Sequence, residues 1–172
     1  IGTLVAHKGQ FLGVKAFSNL LLDYPNLQLF IVGEGPDHEI IKGSISRLDA
    51  FSKSRISMLG QRDNISDLLN DCNILWQLSK SEAMPLSIIE ALSCAVPCIG
   101  FDVRGINDCV QNGYNGYLVE YGNLDQLRNM TKLLISDDVL YSSISRNAFS
   151  SSKRFSLDKM NESYNRIING ES

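Results

Sequence analysis

Ile74-Leu75-Trp76-Gln77-Leu78, Ser81-Glu82-Ala83-Met84-Pro85-Leu86-Ser87-Ile88-Ile89-Glu90-Ala91-Leu92 and Pro97-Cys98-Ile99-Gly100-Phe101 follow one another with short gaps. The first and last are apolar runs without polar alternation, as expected of strands buried on both faces of a parallel sheet. The middle stretch turns into a helix around Pro85 or Leu86, and that helix is itself largely apolar. Strand, helix, strand is the repeating unit of doubly wound α/β domains.

The same alternation continues outward in both directions. Leu27-Gln28-Leu29-Phe30-Ile31-Val32, Ile56-Ser57-Met58-Leu59 and the shorter Gly116-Tyr117-Leu118-Val119 read as further strands. Helical spacing marks residues 11–22, 38–48, 64–70, 87–95 and 124–135. Near the end, Leu157, Met160, Tyr164, Ile167 and Ile168 mark one face of a last helix that Ser156 could cap. The pattern predicts a Rossmann-like doubly wound parallel sheet with flanking helices, residues 1–172 forming one domain.

Composition agrees and narrows the function classes. The 172 residues are 44% hydrophobic and 20% charged, with a net charge of −3. Such a balance gives no footprint for nucleic acid or for an anionic membrane surface. Nothing approaches the 18 consecutive apolar residues of a transmembrane span. The four cysteines (Cys72, Cys94, Cys98 and Cys109) form no CxxC pair. Cys94 and Cys98 lack the histidines that a metal site would add, so no metal is expected, and small buried thiols in a reducing cytosol are the simpler reading. The chain opens at Ile1-Gly2-Thr3 with no strand ahead of it, and reads as part of a larger protein.

Ligands of such sheets bind at the carboxyl ends of the strands. The start of the helix near Leu86 and Ser87 offers free N–H groups and a favourable dipole to a phosphate. Glu82 lies in the loop ahead of that helix, and Glu90 about one turn inside it. A carboxylate buried in so apolar a helix needs a partner. A ribose diol, an internal salt bridge or an escape to solvent would each serve, and the residue alone does not choose among them. Val32-Gly33-Glu34-Gly35-Pro36-Asp37 is no dinucleotide fingerprint, because Pro36 intervenes and the third glycine is missing. Taken alone it is a tight turn with Asp37 capping the next helix. Lys8-Gly9, ahead of the first helix, is a weak signal by itself.

Together these segments resemble the family 4 (group 1) retaining glycosyltransferases of GT-B fold. The Glu-x7-Glu spacing of Glu82 and Glu90, followed by Ala-Leu-Ser-Cys-Ala-Val-Pro, is similar to that family's Glu-Gly-Phe-Gly, four residues, Glu-Ala signature. Gly2 to Gly9 resembles its Gly-Arg-Leu … Lys-Gly element, and Gly33 to Pro36 its Gly-x-Gly-Pro turn. Leu59-Gly60-Gln61-Arg62, Asp102 to Asp108, Asn112 to Val119 and Phe155-Ser156-Leu157 match in order, and the resemblance runs from Gly2 to about Ile168. Two departures stand out. Ala83-Met84-Pro85 replaces the glycine-rich sugar loop, and Thr3 holds the place of an arginine.

The resemblance implies that the chain is the C-terminal, donor-binding half of a retaining hexosyltransferase, inactive without an N-terminal acceptor domain. It implies a nucleoside-diphosphate sugar of UDP or GDP type as donor, and neither cofactor nor metal. Glu82 would orient the sugar, Glu90 the ribose, and Lys8 the departing phosphate. Gly2, Thr3, Gly33, Gly35, Met84, Pro85, Leu86 and Ser87 would line the donor. Gln61 and Arg62 would flank the base, and Arg62 or Arg104 would stand in for the missing arginine. The full protein would serve bacterial surface-polysaccharide synthesis, with a saccharide or lipid-linked acceptor, in the cytoplasm or at the inner membrane face. The alternatives are a non-catalytic GT-B-like binding module and a GT-B sugar-nucleotide epimerase.

Overall fold

The computed structural model describes residues 1–156, 159 and 161. Five short strands and eight α-helices follow one another along them. In chain order they are α1 (Gln10–Leu20), β1 (Leu29–Val32), α2 (His38–Ser46), α3 (Ala50–Ser54), β2 (Ile56–Gly60), α4 (Ile65–Asn70), β3 (Leu75–Gln77), α5 (Leu86–Ser93), β4 (Cys98–Phe101), α6 (Ile106–Cys109), β5 (Gly116–Val119), α7 (Leu124–Ser136) and α8 (Asp138–Ser152). Every strand pairing is parallel: β1 with β2, and β3 with β4 with β5. The expected architecture is therefore present, as a pair and a trio of strands. The expected last helix lies outside the described residues, except that Ser156 Oγ accepts from the Lys159 N–H at 3.3 Å, as a cap would.

The stretch ahead of α1 ties the two groups of strands together. Its Gly2 N–H donates to Val32 O and its Leu4 N–H to Glu34 O, both at 2.9 Å, while His7 O accepts from Lys80 N–H at 2.7 Å. The close crossing explains Gly33 and Gly35, since a Cβ on either would overlap the carbonyl of Gly2 or Leu4. Asp37 stands at the N-cap of α2, yet its carboxylate makes no cap hydrogen bond, a correction to the sequence expectation. The α2 entry is held instead by backbone, with Asp37 N–H on Leu4 O at 3.0 Å.

β4 shows why its sequence lacks polar alternation: all four of its residues are buried. Cys98 faces a core with Ile88, Ala91, Leu92 and Ile106, where α5, α6 and α8 pack. Ile99 and Phe101 face the opposite core with Leu127, Leu134 and Ile144. A third cluster under α1 and α2 joins Leu4, Val14, Phe17, Ile31 and Ile41. α7 is pinned to β3 by Trp76 Nε1, which donates to Thr131 Oγ1 at 3.0 Å.

Three helices escape the sequence reading: α3, α6 and α8. The longest, α8, has six serines among its fifteen residues and leaves Val139 and Phe149 exposed, so no single apolar face stands out. It forms because Asp137 caps it, accepting from the Leu140 N–H at 2.9 Å, and because Ile144 and Ala148, one turn apart, are both buried.

Candidate donor-binding site

Parallel strands bring the loops after β1, β3 and β4 to one edge, as the sequence predicts. There Lys8 Nζ lies 2.6 and 2.8 Å from the two carboxylate oxygens of Glu82. Glycines allow this meeting. Gly9 has φ +72°, and a Cβ there would overlap Leu78 O, so the backbone carrying Lys8 rests directly on the end of β3. Gly105, at φ +86°, likewise lies against the backbone of Glu82, whose N–H donates to Arg104 O at 3.1 Å.

Glu82 is the best-connected side chain of the region. Besides Lys8, its Oε1 accepts from Ser79 Oγ at 2.5 Å and from Gln77 Nε2 at 2.9 Å. Its side chain keeps 10% of its surface exposed, against 24% for Lys8. Partial burial by itself pushes the carboxyl up. The hydrogen bonds from Lys8 and Ser79, the Lys8 charge and the Gln77 amide outweigh that and hold it below its ordinary value. Glu82 is thus a carboxylate at neutral pH.

α5 starts beside this cluster. Its first N–H groups, at Leu86 and Ser87, have no intrahelical acceptor, as at any helix start, and Pro85 O takes the Ile88 N–H at 3.0 Å. Met84 and Leu86 are exposed at its mouth and Pro85 is buried. Of the alternatives the sequence left open for Glu90, the structure shows the escape to solvent. It is exposed, and the core face of α5 is Ile88, Ala91 and Leu92, so no desolvation forces a partner on it.

The other sequence-picked residues divide by place. Thr3 is exposed, with its carbonyl accepting from Gln10 Nε2 at 3.0 Å, and Gly2 is engaged through its backbone. Arg104 adjoins Glu82 and is exposed. Gln61 and Arg62 are exposed, in the stretch after β2. Sequence reading missed Gln77 and Ser79, both buried; the signal for Gln77 was an amide at the end of an otherwise apolar strand. A cavity of about 380 Å³ lies elsewhere, with Leu29, Phe30, Leu75 and Trp76 in its walls. Among the described residues no group of three or more His, Cys, Asp or Glu could hold a metal ion, and no helix is long and apolar enough to cross a membrane.

The family model for glycosyl transferases group 1 matches residues 1–151. The chain belongs to that family. N-acetyl-alpha-D-glucosaminyl L-malate synthase of Bacillus anthracis is 31% identical over 155 residues, which are 90% of this chain and 40% of that protein. The chain spans less than half the length of this and of two further glycosyltransferase relatives. Among solved structures, Anabaena Alr3699/HepE in complex with UDP superposes with a TM-score of 0.89 at 24% identity, over 99% of this chain and 47% of that one. The C-terminal domain of a group 1 glycosyl transferase (LpcC) from Francisella tularensis superposes with a TM-score of 0.80 at 21% identity, over 91% of this chain and 84% of that one. These likenesses show the fold, that of the GT-B glycosyltransferases.

Proposed function

We propose that this chain is the donor-binding half of a retaining glycosyltransferase that moves a sugar from a nucleoside diphosphate to an acceptor hydroxyl. The observation that carries the reading is the pairing of Lys8 with Glu82 beside the start of α5, at the carboxyl ends of the strands. A cation and free helix N–H groups suit a diphosphate, and an adjacent carboxylate suits sugar hydroxyls. In the reaction the bond from the anomeric carbon to the phosphate oxygen breaks, and a bond to the acceptor oxygen forms. The acceptor gives up its proton, and negative charge collects on the departing diphosphate. Lys8 and the N–H groups of Leu86 and Ser87 stabilise that charge, while Glu82 orients the sugar ring. Glu90, exposed on α5, reaches the ribose, and Arg104 is the better-placed substitute for the arginine that Thr3 replaces.

UDP is the preferred nucleotide in this reading, supported by the UDP held in the Anabaena neighbour of like fold. The acceptor, a saccharide or lipid-linked saccharide, would be held by the remainder of the longer protein, in bacterial surface-polysaccharide or cell-wall synthesis on the cytoplasmic side. That this half folds by itself is supported by the Francisella domain, which also stands alone. The test is an NMR titration of the ¹⁵N-labelled chain with UDP, GDP, ADP and CMP. Shifts clustered at Lys8, Gly9, Glu82, Leu86, Ser87 and Glu90 are expected with UDP; no shift there with any of the four sinks the reading.

A further inference from the structure

Gln77 closes β3 at a position where the strand pattern calls for an apolar side chain, and it is 4% exposed. A buried amide is costly unless its donors and acceptor are all met. Here they are. Nε2 donates to Ser79 Oγ and to Glu82 Oε1, both at 2.9 Å, and Oε1 accepts from Ser87 Oγ at 2.9 Å. One amide therefore touches the sugar-side carboxylate and the first turn of α5.

The chemistry of the partners fixes which way the amide points. Turned over, it would set its oxygen against Glu82 Oε1, acceptor against acceptor, and the carboxylate would lose a donor. With the amide as it stands, Glu82 Oε1 is held by Ser79, Gln77 and Lys8, whereas Oε2 is held by Lys8. Lys8 is the more exposed of the two partners, at 24%, and the Gln77 amide is buried. When Lys8 turns toward a phosphate, Ser79 and Gln77 keep the carboxylate in place. The Ser87 hydroxyl has its proton committed to Gln77, so a phosphate at the helix start meets backbone N–H groups instead of that hydroxyl.

We propose that Gln77 is a positioning residue of the site: it sets the Glu82 carboxylate and, through Ser87, couples it to the start of α5. Its link to a donor rests on the function proposed above; its link to Glu82 does not.

The experiment therefore begins with the free chain. The Glu82 carboxyl is followed by ¹³C NMR from pH 7 to 3, together with the side-chain amide signals of Gln77. In the unmodified chain the Gln77 Nε2 signals are expected to shift with the same midpoint as Glu82. In Gln77→Met, which keeps the length and loses the amide, the Glu82 midpoint is expected to rise, because a donor to the charged form is gone. Lys8→Met raises it too, and the double variant raises it further than either change alone. Ser87→Ala is expected to move the Gln77 signals. Gln77 signals that ignore the Glu82 titration, or a Glu82 midpoint unmoved in a folded Gln77→Met chain, overturn the proposal. The first of these needs no variant, so a misfolded Gln77→Met chain does not remove the test. UDP is then added to the unmodified chain at pH 7. A Gln77 signal that moves places the coupling within nucleotide binding. One that stays still while the pH results hold counts against the donor-site reading alone.

Discussion

Lys8 and Glu82, 74 residues apart in sequence, form a two-pronged ion pair with Nζ 2.6 Å from one carboxylate oxygen and 2.8 Å from the other. The pair joins the stretch ahead of α1 to the loop after β3, so one contact both closes the site and braces the edge between the two groups of strands. In the proposed function each partner also contacts the donor. Binding a donor must therefore loosen the pair, and the Ser79 and Gln77 hydrogen bonds limit what that costs.

The first consequence is a stability that depends on pH. The Glu82 carboxyl sits below its ordinary value of 4.5 in the folded chain. A depressed carboxyl stabilises the fold fully above its unfolded pKa, and the contribution is lost as pH falls through the folded one. Glu82→Gln should cost about 1–2 kcal/mol at pH 7. The difference from the unmodified chain should shrink below pH 4.5. Urea unfolding at a series of pH values measures it; a difference constant from pH 7 to 3 would contradict the assignment.

A second consequence concerns charge at the diphosphate. Thr3 is exposed and offers no cation, so it can be replaced without disturbing the core. Thr3→Arg should tighten UDP binding roughly tenfold, the worth of about one charge-assisted hydrogen bond. Lys8→Met should weaken it by a similar factor. Calorimetry at fixed, low salt reads both, and the Arg gain should fade as salt rises.

Much of this was legible in the sequence, for a physical reason. Buried parallel strands such as Cys98–Phe101 announce themselves as unbroken apolar runs, and the loops that follow them carry the site. Glu82, Lys8 and the start of α5 lie together at the strand ends, as the family resemblance implied and as Lys-Gly alone did not. Glu90 stayed undecided in the sequence because the apolar neighbours of a helical residue in sequence are not its neighbours in space: Ile88, Ala91 and Leu92 are buried while Glu90 is exposed. Gln77 was overlooked because its one signal, an amide closing an apolar strand, does not reveal the three partners that the fold brings to it. α8 was missed because its serines satisfy themselves on carbonyls such as Ala95 O and Arg146 O, which a hydrophobic pattern does not register.

The glycine at position 9 is a sharp test of how the site is built. Its positive φ and its contact with Leu78 O leave no room for a side chain. Gly9→Ala combines strain of about 1–3 kcal/mol with displacement of the Lys8 backbone. Lower thermal stability and loss of the Lys8–Glu82 pair are expected together, the second read from a raised Glu82 titration midpoint. A variant as stable as the parent with an unchanged midpoint would mean that the loop has another way to seat Lys8.

α8 should matter more than its polar sequence suggests. Ile144 is 1% exposed and packs with Leu127, Leu134, Ile99 and Phe101, while Ala148 contacts the core beneath α5. The helix therefore contributes to both core clusters and packs on α5 and α7. Ile144→Ala removes buried methyl groups at a place where close neighbours from α7 and β4 limit collapse, a loss of about 2–5 kcal/mol. Val139→Ala, on the same helix but exposed, should change stability by less than about 0.5 kcal/mol. The contrast between the two, measured by urea unfolding, separates core docking of α8 from helix propensity alone; equal losses would show that the helix is not seated as described.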